Sequence, residues 1–196
     1  MKFDTIIIGG GNSGLKVALG LLKAGQKTAL IAAGRSVGEV DLHPYESAGG
    51  TLLMGDSVTG GIFDGDSLKA VTTANFGDYP LYADAFVIAT GKFLGKGLVA
   101  DMSRVYEPVF GLDVEYDPDR SRWFNPSFSE PQPFMKFGVK VDSAFRPSIG
   151  GRTVSNLFAC GELLAGVSSL DGYDALESSS DSVLNNILKL KGHAGE

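Results

Sequence analysis

Residues 3–8, Phe-Asp-Thr-Ile-Ile-Ile, are a short apolar, β-branched run, the pattern of a strand buried on both faces of a sheet. The run ends in Gly9-Gly10-Gly11-Asn12-Ser13-Gly14. There the period lengthens: Leu15, Ala18, Leu19 and Leu22 recur every three to four residues, and Gly25 stops the helix they predict. Residues 27–32, Lys-Thr-Ala-Leu-Ile-Ala, read as a second apolar strand. Strand, glycine turn, helix and strand within about 30 residues predict a βαβ unit and therefore a parallel sheet.

Residues 35–50 show no clear period and end in Gly49-Gly50, which predicts a loop. Three strand-like runs follow at 51–63, 68–75 and 81–89, punctuated by Asp64-Gly65-Asp66 and Gly77-Asp78-Tyr79-Pro80 as hairpin turns. The last run closes on Ala85-Phe86-Val87-Ile88-Ala89 and is expected to rejoin the buried parallel sheet. Residues 92–133 carry Pro108, Pro118, Pro126, Pro131 and Pro133 among aromatics that include Trp123. They are too apolar for a linker and predict ordered loops packed on the sheet. Residues 154–160 form a further strand ending at Gly161-Glu162. A last helix is expected to start near Ser180 or Asp181 as its cap, with Val183, Leu184, Ile187, Leu188 and Leu190 on one broad face. The expected organisation is one domain over 1–196: a βαβ unit at 1–36, a meander and return strand at 51–91, an irregular part at 92–150, and the last strand and helix at 151–196.

Composition narrows the class. The chain has 43% hydrophobic and 20% charged residues, which excludes disorder, and 196 residues suit one domain. Glycine, at 27 of 196, is about twice its usual share of roughly 7%. With no G-X-Y period, it must serve turns and places where backbone approaches a ligand. The net charge of −6 and the lack of a basic stripe argue against nucleic acid. One cysteine, Cys160, suits a reducing cytoplasm, and His43 and His193 offer no metal ligand set. The apolar N-terminus, broken by Gly9–Gly11, Asn12, Ser13 and Lys16, reads as folded structure, neither signal peptide nor transmembrane segment.

The chemistry resides in the glycine turn. Gly9-x-Gly11-x-x-Gly14 lies between a strand and a helix. There Gly9 permits the turn, Gly11 lets backbone approach a pyrophosphate, and Gly14 lets helix pack on strand. The free N–H groups of the helix start face the phosphates. The acidic residue about 20 positions on that normally binds the adenosine ribose is absent. Its place holds Ala32-Ala33-Gly34-Arg35, with no carboxylate before Glu39. Arg35 reads as a solvated arginine in preference to a phosphate ligand.

Two further motifs resemble those of flavoproteins with two dinucleotide-binding domains: Ala89-Thr90-Gly91 after an apolar strand, and residues 156–162, whose Gly161-Glu162 stands where such proteins have Gly-Asp. Residues 55–59, 86–93, 97–100, 105–114 and 146–148 resemble the flavoprotein subunit (designated B) of the anaerobic glycerol-3-phosphate dehydrogenases. The stretch Tyr106-Glu107-Pro108-Val109-Phe110-Gly111-Leu112-Asp113-Val114 is the most specific part of the likeness.

The resemblance implies an α/β, Rossmann-like FAD/NAD(P)-binding three-layer domain with a β-meander. It implies a flavin, FMN or FAD, held by Gly9, Gly11, Asn12, Ser13, Gly14, Val58, Thr90, Gly91, Gly161 and Glu162, with no catalytic acid or base assigned. The implied activity is oxidation of sn-glycerol 3-phosphate to dihydroxyacetone phosphate, with electrons passing to a membrane-bound iron–sulfur subunit and quinone. The location would be cytoplasmic, peripheral at the inner membrane through partner subunits.

Family members are about twice as long, and the segment between the second strand and the meander is missing here. The chain therefore reads as an internally truncated member without its cap domain. The alternative is a non-catalytic flavin- or nucleotide-binding scaffold, whose uncapped face predicts self-association or partner binding. Where the family has a glycine-rich entry to the last helix, this chain has residues 177–182, Glu-Ser-Ser-Ser-Asp-Ser. Of the single residues, Cys160 reads as an inert buried thiol. Trp123 and the phenylalanines at 124, 128, 134 and 137 read as packing, and Arg146 as an arginine without a substrate role.

Overall fold

The computed structural model describes residues 1–34, 40–168 and 174–192. Arg35, Glu39 and His193 lie outside the described residues. The chain runs β1 (Lys2–Ile8), α1 (Asn12–Lys23), β2 (Thr28–Ala32), α2 (His43–Ser47), β3 (Thr51–Met54), β4 (Val58–Asp64), β5 (Ser67–Thr73) and β6 (Leu81–Ile88). Six two-residue strands follow, β7 (Val99–Ala100), β8 (Val105–Tyr106), β9 (Val114–Glu115), β10 (Gly138–Val139), β11 (Ser148–Ile149) and β12 (Arg152–Thr153). They pair as β7–β8, β9–β10 and β11–β12. The chain closes with β13 (Leu157–Ala159) and α3 (Asp174–Gly192).

The main sheet has the order β3-β2-β1-β6-β5-β4, with β13 also on β6. β3, β2, β1, β6 and β13 are parallel, and β4, β5 and β6 form the antiparallel meander. β6 forks: Leu81 and Tyr82 pair with β5, whereas Phe86–Ile88 pair with β13. Asn156 closes the fork. Its Oδ1 accepts from the Leu68 N–H (2.9 Å), and its Nδ2 donates to the Leu68 and Asp84 carbonyls (2.8 and 2.9 Å).

Alternation along the buried strands builds two cores. Ile7, Leu30 and Val87 pack with Val17, Ala18, Leu21, Val183 and Ile187 of α1 and α3. Ile6, Ile8 and Phe86 face the other way, onto Leu68 and Val71 of the meander and Leu98, Phe110 and Trp123 of the loops. Helices, sheet, and meander with loops are the three expected layers.

Four expectations are corrected. The stretch read as a loop contains α2, one turn too short to show a period; it has Pro44 in its first turn and is anchored by Tyr45, fully buried, whose hydroxyl bonds Thr28 Oγ1 at 2.8 Å. The run 51–63 is two strands, because Gly55 turns left-handed at φ +74° and sends β3 to the parallel sheet beside β2. The strand read at 154–160 shortens to Leu157–Ala159, because Val154 and Ser155 are drawn to the Pro147 and Asp66 carbonyls. Finally, α3 begins at Asp174, and neither Ser180 nor Asp181 caps it. The hydroxyls of Ser179 and Ser180 bond back to the Leu176 carbonyl (2.8 and 3.1 Å), so these serines sit inside the helix, and Asp181 pairs with Lys16 of α1 at 2.9 Å. Leu190, expected on the broad apolar face of this helix, is half exposed.

Candidate flavin site

A cleft of about 930 Å³ opens at the carboxyl ends of the parallel strands, where open α/β sheets bind their ligands. That volume suits a cofactor-sized molecule. Its wall includes Gly9, Gly11, Asn12, Ser13, Val58, Thr90, Gly91, Gly161 and Glu162. Of the residues expected at the cofactor, only Gly14 is not on the wall: it is buried in α1, where an added Cβ would stand 2.0 Å from the Gly9 carbonyl oxygen. Gly14 therefore lets the helix approach the turn and makes no ligand surface.

The turn is shaped for a close ligand. Gly9 has φ +116°, and a Cβ there would strike the Ala89 carbonyl at 2.3 Å, so the β1 and β6 ends touch through backbone. A Cβ on Gly11 meets nothing within 4 Å. That space is open to the cleft, and no side chain caps α1, whose first turn holds no acid. The N–H groups of that first turn are thus left for an external acceptor. Gly161, at φ +75°, comes so close to Ser13 that an added Cβ would lie 2.5 Å from Ser13 Oγ. Ser179 of α3 accepts the Gly161 N–H at 3.0 Å and fixes this second turn. These residues fit a dinucleotide or flavin phosphate at α1, flanked by two glycine turns.

The wall also includes Asp56, Ser57, Thr59, Gly95, Lys96, Pro108 and Val109, which pattern reasoning did not place there. The stretch around Glu107 was conspicuous in sequence, and the structure gives it a task. Glu107 is buried (1% exposed) and accepts from the N–H groups of Val109, Phe110, Gly111 and Leu112 at 2.8 to 3.4 Å. Burial pushes its carboxyl up and the four N–H groups pull it back, leaving it above the ordinary 4.5. The result is a rigid loop holding Pro108 and Val109 against the cleft. Lys92, also buried, donates to the carbonyls of Met135 and Val167 and ties the loop after Gly91 to the 135–167 region.

The other candidate groups among the described residues are committed elsewhere. Arg146 holds Asp142 through Nε (2.9 Å) and Nη2 (2.8 Å). Cys160 is fully buried, which pushes its thiol up to about 12 and keeps it protonated. Trp123 packs edge-on against Tyr116 and Phe137 and donates Nε1–H to the Asp117 carbonyl at 2.6 Å. Phe124 and Phe128 do not pack as expected, being 59% and 98% exposed, whereas Phe134 meets the ring of Phe93 edge-on with centroids 6.0 Å apart. Among the described residues no group of His, Cys, Asp and Glu could hold a metal ion, and no helix is long and apolar enough to cross a membrane.

Fold and cleft define a flavin-binding α/β domain, and comparison with known proteins agrees. The FAD binding domain family matches residues 43–180, and the chain belongs to that family, with flavin as its cofactor. That match starts beyond the Gly9–Gly14 turn, so the turn and the family match are independent observations. The curated relatives include the anaerobic glycerol-3-phosphate dehydrogenase subunit designated B of Vibrio vulnificus (strain YJ016), 43% identical over 121 residues, 60% of this chain and 28% of the relative. The subunit of that name from Yersinia enterocolitica is 37% identical over 135 residues, 69% of this chain and 30% of the relative. The matched part thus spans less than a third of these relatives. Among solved structures, an oxidoreductase from Agrobacterium tumefaciens has a TM-score of 0.57 at 14% identity, covering 99% of both chains. The thioredoxin reductase of T. acidophilum has a TM-score of 0.53 at 10% identity, covering 97% of this chain and 99% of its own. At such identities these two likenesses speak for the fold.

Proposed function

We propose that this chain is the flavin-binding part of an oxidoreductase that acts on sn-glycerol 3-phosphate, forming dihydroxyacetone phosphate. The observation that carries the reading is the joining of the Gly9–Gly14 and Gly161 turns across one cofactor-sized cleft, in a chain 43% identical to a subunit of anaerobic glycerol-3-phosphate dehydrogenase from V. vulnificus over the matched part. When bound, a flavin supplies hydride acceptance from an alcohol carbon and release of electrons one at a time. The protein's own work is to hold it. The α1 N–H groups take a phosphate, Thr90-Gly91 and Gly161-Glu162 form the walls, and Val58 closes the side on the meander. Electrons would leave through further subunits of the same complex, including a membrane-bound iron–sulfur subunit, on the cytoplasmic face of the inner membrane.

Among the described residues, the charged side chains on the cleft wall are Asp56, Lys96 and Glu162, and none is a histidine. Leu94, 84% exposed at the rim, is an apolar side chain left for something to cover. These two features favour a second reading, in which the chain binds flavin as a core and needs a covering partner or second copy before it turns over. Purified protein loaded with FMN or FAD distinguishes the two. Bleaching of the flavin absorbance by sn-glycerol 3-phosphate under anaerobic conditions supports the dehydrogenase. Flavin uptake without bleaching supports the core, and a chain that takes up neither flavin refutes both.

A further inference from the structure

The end of β2 carries no acid, yet a carboxylate stands beside it. The Gly55 N–H donates to the Ala32 carbonyl at 2.8 Å, which sets residue 56 next to the last residue of β2 on the cleft wall. Asp56 is 2% exposed. Its Oδ1 accepts from the N–H groups of Ser57 (2.8 Å) and Asn75 (3.0 Å), which fixes the plane of the carboxylate. Its Oδ2 is buried and has no partner. A buried acceptor left unpaired costs free energy, so it marks a place where a donor is meant to arrive. Glu162, the other carboxylate on the wall among the described residues, follows β13, beyond β1 and β6 from this edge of the sheet. In the doubly wound arrangement the adenosine half of a dinucleotide lies on the β2 side of the fingerprint turn, where a carboxylate takes a ribose hydroxyl.

We infer that Asp56 holds the adenosine ribose of the cofactor, Oδ2 accepting from a ribose hydroxyl, in place of the acid missing from β2. The assignment rests on the flavin reading and deepens it: a residue dedicated to adenosine selects FAD over FMN. A neighbouring strand supplies the carboxylate, one turn away from where the fingerprint's usual spacing would put it.

The test compares FAD and FMN affinities, read by quenching of flavin fluorescence, in the wild-type chain and in Asp56→Asn. The asparagine keeps Oδ1 for Ser57 and Asn75 and replaces only the unpartnered oxygen. The expected result is FAD binding weakened about tenfold, FMN binding unchanged within about twofold, and an unaltered melting temperature without ligand. Equal loss for both flavins would mean that Asp56 only shapes the turn, and unchanged FAD binding would mean that the ribose lies elsewhere. Either overturns the inference while leaving the flavin reading intact. A wild-type chain that binds neither flavin overturns both.

Discussion

The loops between residues 107 and 151 and the wall of the cleft treat their buried and half-buried polar atoms in opposite ways. In the loops the buried and half-buried carboxylates are saturated from within the chain. Glu107 accepts four backbone N–H groups, and Asp113 accepts the Ser148 hydroxyl (2.6 Å) and the N–H groups of Gly150 and Gly151 (2.9 and 2.8 Å). Asp142 accepts from Ala144 and from the main chain and guanidinium of Arg146. At the cleft, Asp56 Oδ2 and Thr90 Oγ1 are buried without a partner; Gln26 Nε2, away from the cleft, is the one other such side-chain atom among the described residues. Saturated carboxylates substitute for the secondary structure these loops lack. The unsaturated atoms stand at the cleft wall, where on the reading proposed above a ligand completes their hydrogen bonds.

The sharpest way to break this contrast is to remove the most saturated group. Glu107→Ala leaves four N–H groups without their acceptor in a buried loop, and should lower stability by about 3 kcal/mol or more, seen as a fall in the urea midpoint. Glu107→Gln keeps an acceptor and should lose roughly half of that.

Asp113→Asn should cost about 1–2 kcal/mol at neutral pH and, in addition, flatten the acid side of the stability profile. The Ser148 hydroxyl and the Gly151 N–H hold Asp113 below its ordinary 3.8. A folded-state value below the unfolded one means that the stabilisation is full above about pH 4 and is lost as pH falls through the folded value. Asp142 acts with the same sign: burial opposes its charge, but Arg146 and Ala144 outweigh it. Glu107, raised by burial, acts with the opposite sign, its contribution present at low pH and lost as pH rises through its folded value. Urea unfolding from about pH 2 to about pH 7 should therefore show a smaller acid-limb slope in Asp113→Asn than in the wild-type chain.

Gly11→Ala tests the cleft side. Its Cβ meets nothing in the protein, so stability should change by no more than about 1 kcal/mol, the usual range for a substitution at a helix N-cap. Flavin affinity should fall at least about tenfold, because the methyl group takes the ligand's space. Equal stability and equal affinity would show that nothing approaches this turn. The smallest effect is expected at Lys96, held at φ +61° between Gly95 and Gly97 on the cleft wall. Lys96→Gly should raise the melting temperature by relieving strain worth about 1 kcal/mol, and unchanged thermal stability would show that the loop carries no strain there.

Residues 3–8 and 27–32 and the glycine turn between them were legible because a buried parallel strand and a fingerprint turn are written in contiguous residues. The meander was legible from its turn residues, Asp64-Gly65-Asp66 and Gly77-Asp78-Tyr79-Pro80. The start of α3 was not, because serine favours caps and turns as readily as helix, and only the back-bonds of Ser179 and Ser180 to Leu176 resolve the choice. Asp56, Pro108 and Val109 at the cleft could not be read at all. No local pattern distinguishes an acid in a turn from an acid pinned beside the end of another strand.

The sequence by itself determined the βαβ start, the glycine cradle and the order of the three flavin-type motifs, since each depends on residues adjacent in the chain. Only the tertiary structure decided which side chains those motifs share a cleft with. Gly161 meets Ser13 across 148 positions, and Asp56 reaches the end of β2 through one backbone hydrogen bond. Such contacts are set by sheet order and by which polar atoms remain unpaired after packing, and both exist only once the whole chain has folded.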